Sequence, residues 1–176
     1  MVNLFFRAFK CRNRQFVLSF FTTYIRPLVE NSSTVWNPHL LKDINLLESI
    51  QRKFTKRIPG LRSLEYEERL NVLHLDTLEC RRLQNDLVMC FKMLHGYVDC
   101  DYHDFFELSA DGLQRHRHNQ RLKVPKTRLD CRKYSFPCRV VSSFNSLPQE
   151  VIDSSSVSMF KKRLKNSDIS SFLKYR

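Results

Sequence analysis

The clearest separation of hydrophobic from polar positions in this chain lies between residues 40 and 60. Leu40, Ile44, Leu47, Ile50, Phe54 and Ile58 recur at three- and four-residue steps, so they share one side of a 3.6-residue helix. Lys42, Arg52, Lys53, Lys56 and Arg57 fall on roughly the opposite side. Gly60, just past the last apolar position, is the expected left-handed stop. An earlier helix is predicted over about residues 13–30, with Phe16, Val17, Phe20, Phe21, Tyr24 and Leu28 on a wide apolar arc. Pro27 should kink or end it, because its ring clashes with the carbonyl four residues back. Between the two helices, Asn31-Ser32-Ser33-Thr34 and Asn37-Pro38 are turn material around Trp36, the sole tryptophan. That indole is expected to plug the core between the helices, with base stacking as the alternative.

Beyond Gly60, Ser63 is a candidate cap for a short helix through YEERLNVL. Asp76 with Glu79 resembles a capping box and opens a further helix. Along that helix Cys80, Leu83, Leu87, Cys90, Phe91 and Leu94 form one face, Arg81, Arg82, Asn85 and Lys92 lie towards the other, and Gly96 stops it. Residues 97–112 read as an acidic, irregular loop anchored by Phe105 and Phe106. Past it the period changes. Leu122 and Val124 alternate with Arg121 and Lys123, and Tyr134, Phe136, Cys138 and Val140 alternate with Ser135, Pro137, Arg139 and Val141. Period-two alternation predicts strands, which Pro125 and Pro137 would confine to edges or bulges. Ser154-Ser155-Ser156 then precedes a last helix whose Val157, Phe160 and Leu164 could pack back on the body. The expected fold is mainly α: a helical bundle with a small basic β-hairpin near the C-terminus. Only three glycines in 176 residues favour long helices over a turn-dense sandwich, and they lie too far apart for a nucleotide-binding loop.

Charge divides the chain further. Residues 1–60 carry ten Lys/Arg against three Asp/Glu, residues 61–112 five against eleven, and residues 113–176 fifteen against four. The net +12 therefore sits on two basic ends around an acidic middle, as suits ends that meet a polyanion. The chain thus reads as three stretches: 1–60 as a first helical segment, 61–112 as a helical core with an acidic loop, and 113–176 as a basic segment with hairpin and final helix. A solvated helix face or a basic surface loop would also account for many of these cations. No apolar run approaches the roughly 20 residues of a membrane span, and FVLSFF is too short. The N-terminus does not read as a cleavable signal peptide. Six cysteines (11, 80, 90, 100, 131, 138) are accordingly expected as reduced thiols of an intracellular protein, nuclear or cytoplasmic and not secreted.

Candidate chemistry is thin. Asp99, Asp101 and Asp104 have spacing that could hold a divalent ion, but caps and a solvated loop explain them better. Cys90/His95, Cys100/His103 and Cys131/Cys138 supply no pair of clips at zinc spacing. No metal or cofactor is expected. The chain has no adjacent Asp-Asp pair of the kind that holds two magnesium ions about a transferring phosphate.

Five segments carry a resemblance: IRPLVENSSTVWNPHL with LLESIQRKFTKRIPGL, YEERLNVLHLDTLECRRLQNDLVMCFKMLHG, FFELS (Phe105 to Ser109), FNSLPQEV (Phe144 to Val151) and FKKRL (Phe160 to Leu164). In this order they resemble the region downstream of the polymerase palm, the thumb and the domain after it, in non-LTR (LINE-type) retrotransposon reverse transcriptases of the CR1-, L2- and jockey-like branches. The family usually has Trp where this chain has Phe144, which keeps a ring but loses the indole donor. Its Asp-Asp catalytic turn belongs to the palm and is not matched, nor is the cysteine-rich knuckle of some relatives. The resemblance implies a fragment of an RNA-directed DNA polymerase that grips template RNA and the primer duplex, without catalysis of its own. Lys42, Arg52, Lys53, Lys56 and Arg57 would then track a backbone. Arg115, Arg117, Arg121, Lys123, Lys126, Arg128, Arg132, Lys133 and Arg139 would contact RNA, with interleaved aromatic rings as stacking platforms. The alternative reading is a non-enzymatic helical module that binds a protein partner through its amphipathic faces.

Overall fold

The computed structural model describes residues 6–9, 13–109 and 120–175. They are mainly helical: α1 (Arg14–Phe20), α2 (Arg26–Glu30), α3 (Ser33–Trp36), α4 (Leu41–Thr55), α5 (Tyr66–Leu73), α6 (Leu78–Leu94), α7 (Asp130–Lys133), α8 (Phe136–Asn145), α9 (Gln149–Ile152) and α10 (Val157–Lys165). The chain packs as two compact units. The first takes the described residues up to Ser33 together with 38–81 and Tyr175, the second 34–37 and 82–174. The charge-based stretches 1–60, 61–112 and 113–176 divide the chain differently, because charge follows the surface and the units follow packing.

In the first unit, Asn13 caps α1 by accepting the Gln15 N–H at 2.8 Å. The helix does not end at Pro27. A wide π turn, Phe21–Ile25, joins α1 to α2, and Pro27 falls in the first turn of α2, where no N–H is needed. The Arg26 N–H reaches back five residues to the Phe21 carbonyl. This underwound turn also keeps Val17, Phe21 and Ile25, four residues apart, on one buried side with Phe54, Ile58, Leu61 and Leu73. Phe21 and Phe54 lie 4.7 Å apart, centroid to centroid. Trp36 is not the expected plug: at 40% exposure it is a surface ring, and the apolar arc closes on Phe54 instead.

Of the side predicted to be apolar, Ile44, Phe54 and Ile58 are buried and Leu40, just before α4, is exposed; the centre of the buried face is polar. Glu48, Gln51 and Thr55 are fully buried. Glu48 accepts the Leu78 N–H at 3.0 and 3.2 Å, capping α6 from a neighbouring helix, and accepts the Tyr66 hydroxyl as well. Gln51 Nε2 donates to the Tyr66 hydroxyl (3.1 Å) and to the Asp76 carbonyl (2.9 Å), and Arg69 Nε donates to Thr55 Oγ1 at 3.2 Å. The α5 cap is Glu65, in a reciprocal box with Glu68, not Ser63. At the start of α6, Thr77 Oγ1 accepts the Cys80 N–H at 3.1 Å, in the place predicted for Asp76. Both helices end in left-handed turns, at His74 (φ 52°) and Gly96 (φ 67°), with Leu75 and Tyr97 bonding back to Leu70 and Lys92.

The second unit buries Leu87, Cys90 and Phe91 of α6, Val140, Val141 and Phe144 of α8, Val151 and Ile152 of α9, and Phe160 and Leu164 of α10. Phe91 stacks on Phe160 at 4.2 Å. The small basic β-hairpin is not formed among the described residues: their one β pairing is a bridge between Leu108 and Leu122. Residues 136–145, read as strand over their first half, are helix α8. Pro137 explains the reversal, since in the first turn of a helix a missing N–H costs nothing, and Val140, Val141 and Phe144 then share the buried face. Asn145 substitutes for a pairing strand, accepting the Leu122 N–H at 2.9 Å and donating to its carbonyl at 2.7 Å. Of the loop anchors, Phe106 is buried and Phe105 is exposed.

Arg82, expected on the outer side of α6, is fully buried with Asp86. Arg82 Nε donates to Asn37 Oδ1 (3.0 Å), and Asn37 Nδ2 donates to Asp86 Oδ2 (3.3 Å). Arg139 forks onto Asp86 at 2.8 and 2.9 Å, and also donates to the Thr34 and Tyr134 carbonyls at 2.6 and 3.2 Å. Burial pushes the Asp86 carboxyl above its usual range, and the Arg139 hydrogen bonds and charge pull it back.

Each unit contains a buried acid that holds its proton. Burial, then the Glu48 charge, raises the Tyr66 hydroxyl in the first, and burial, then the Asp86 charge, raises the Cys90 thiol in the second. The unfolded chain releases these protons near pH 8.5–10 while the folded chain keeps them. Stability should therefore fall as pH rises above about 9, by up to about 1.4 kcal/mol per pH unit for each group. Urea midpoints measured from pH 7 to 11 should show this decline, and Tyr66→Phe should remove its share. A flat profile for the native sequence would show both groups ionising in place.

Candidate nucleic-acid interface

The five cations of α4 and its exit turn, Lys42, Arg52, Lys53, Lys56 and Arg57, are not buried: Lys53, Lys56 and Arg57 stand on the exposed side with Arg52. Two forces place them there. The buried stripe fixes the rotation of the helix, and its negative C-terminal end favours cations in the last turn, where Arg52 and Lys53 lie. Arg52 is held inward at one point: its guanidinium lies 5.4 and 5.5 Å from the Tyr66 and Tyr175 ring centroids and donates to the Tyr175 hydroxyl.

Past α4 the chain turns at Gly60, whose φ of +81° a side chain would strain. The turn brings Arg62 to the same side as Lys53, Lys56 and Arg57. These four line a cleft of about 760 Å³ with Phe6, Ile58 and Pro59 as its apolar part. No carboxylate is among its described lining residues. The Arg14 guanidinium approaches to 3.5 Å from where a Gly60 side chain would begin. Arg57 lies over the Phe6 ring at 5.3 Å, and Phe6 in turn packs on Phe54 at 5.3 Å. Helix complementarity accounts for cations at the end of α4, but not for Arg62 and Arg14, which belong to other elements. Arg62, Arg14 and Phe6 were not singled out by the sequence, since each is an isolated residue until Gly60 turns the chain.

The C-terminal set is less coherent. Arg115 and Arg117 lie outside the described residues. Lys123, Lys126 and Arg132 line a second cleft, of about 520 Å³, whose walls also carry Asp104 and Glu107. Glu107 pairs with Lys123 at 2.5 Å, and that partner draws the Glu107 carboxyl below its ordinary range. Arg121 is half-buried, Arg128 exposed, and Lys133 lies over the Tyr134 ring at 5.4 Å. Arg139 is committed to Asp86 and two carbonyls, and only 14% of its side chain is exposed. It leaves the phosphate-contacting set.

Among the described residues no group of three or more His, Cys, Asp or Glu side chains could hold a metal ion. None of the described helices is long and apolar enough to cross a membrane. Compared with protein-family models, curated proteins and solved structures, the chain matches none of them.

Proposed function

We propose that this chain binds nucleic acid through the basic cleft of its first unit, as the region downstream of the palm in a LINE-type reverse transcriptase, gripping template RNA or an RNA/DNA duplex. The observation that carries the reading is the convergence of Lys53, Lys56, Arg57 and Arg62 on one cleft without a described acidic wall. Grouped cations of one sign repel each other, and a polyanion relieves that repulsion while releasing its own counterions. The stretch has no Asp-Asp pair to hold catalytic magnesium ions, so its part is to bind and position and not to form bonds. The C-terminal cations Lys126, Arg128 and Arg132 would add contacts further along a strand.

A filter-binding titration tests this. With about four phosphates neutralised, affinity for single-stranded nucleic acid should drop about 50-fold as salt rises from about 50 to about 200 mM. Negligible binding of both RNA and DNA at the lower salt would leave the helical protein-interaction module as the better reading.

A further inference from the structure

The cleft contains a run of ring contacts that phosphate binding alone does not require. Phe54, fully buried, supports Phe6; Phe6 supports the Arg57 guanidinium over its face. The guanidinium carbon lies 5.3 Å from the Phe6 ring centroid, a contact that restrains a planar, charged group, and such planes stack bases as aromatic rings do. Ile58 and Pro59 complete an apolar part beside it, and Lys53, Lys56 and Arg62 supply cations in the same cleft. At about 760 Å³ the cleft falls within the size range of small-ligand sites. A paired base buries both of its faces in the duplex stack and offers neither to a platform. An unpaired base has a free face.

We infer that the cleft selects single-stranded nucleic acid: one unpaired base stacks on the Arg57–Phe6 platform while flanking phosphates meet Lys53, Lys56, Arg62 and the charged edge of Arg57. The inference rests on the nucleic-acid reading above and names the form of strand that the site takes.

The test compares three probes on the full chain at fixed salt: an oligothymidylate of about 12 nucleotides, the same length of abasic strand, and a blunt duplex. Oligothymidylate should bind about tenfold more tightly than the abasic strand, which has equal charge but no base to stack. It should also bind more tightly than the duplex. Arg57→Lys keeps the charge and loses the plane, so it should weaken oligothymidylate binding far more than abasic binding and remove most of the preference between the two. Phe6→Leu, which retains apolar volume against Phe54, should act in the same direction, with circular dichroism checking its fold. Equal, salt-sensitive binding of all three probes, or preference for the duplex, overturns single-strand selection and leaves nucleic-acid binding standing. Binding of none of them overturns both.

Discussion

Replacing Asp86 with alanine is expected to destabilise the second unit by about 3–5 kcal/mol, since it removes the carboxylate that pairs with Arg139 and whose charge also reaches the buried Arg82 guanidinium. Arg82 is fully buried and Arg139 nearly so. With Asp86 gone, two positive charges would remain inside without the group that neutralises one of them and accepts the Arg139 fork. Removing one side of such a group costs more than the group contributes, because the remaining charges keep their desolvation penalty. The loss is a large share of the roughly 5–15 kcal/mol that holds a domain together. Trp36 lies in the 34–37 stretch of this unit and is the sole tryptophan, so its fluorescence during urea unfolding reads the loss directly. A midpoint shift worth less than about 1 kcal/mol would mean that water reaches the two arginines. Adding Arg139→Met to Asp86→Ala should recover part of the loss, because one uncompensated charge then disappears.

The second large effect is on binding. Changing Lys53, Lys56 and Arg57 together to glutamine should weaken single-strand affinity about 500-fold at about 50 mM salt, from the counterion release lost with three phosphate contacts. The salt slope should flatten by about two log units per log unit of salt in the same triple variant. All three side chains are exposed, so helix content and urea midpoint should hardly change. The matching triple change at Lys126, Arg128 and Arg132 should cost less, because acidic groups stand beside two of those cations in their cleft. An unchanged salt slope after the α4 substitutions would place binding elsewhere.

Much of the helical skeleton was legible in the sequence, because α4, α5 and α6 carry long runs of unambiguous period. The strands predicted over 134–141 were not, and the reason is local. Seven or eight residues of alternation fit a helix as well once Pro137 is placed in the first turn, and Val140, Val141 and Phe144 decide for the helix by packing. The buried polar residues of α4 left a trace that hydrophobicity alone hides. At about 100° per residue, Glu48, Gln51 and Thr55 lie within about 40° of Ile44, at one edge of the apolar arc, so the buried face is wider than the apolar one. Arg139 left none, since a cation reads alike whether it meets solvent or a buried carboxylate. The cleft was half legible: the α4 cations follow from period, whereas Phe6 and Arg62 are brought to them only by tertiary turns.

Glu48 has a consequence for how the α4 cations can act. By holding both the first amide of α6 and the Tyr66 hydroxyl, it keys α4 like a shaft that is unable to spin. The azimuth of every outward lysine and arginine is thereby set before a ligand arrives. A polymer that meets this helix must adapt its own backbone to a rigid lattice of charge, and the helix gives up little rotational freedom in receiving it.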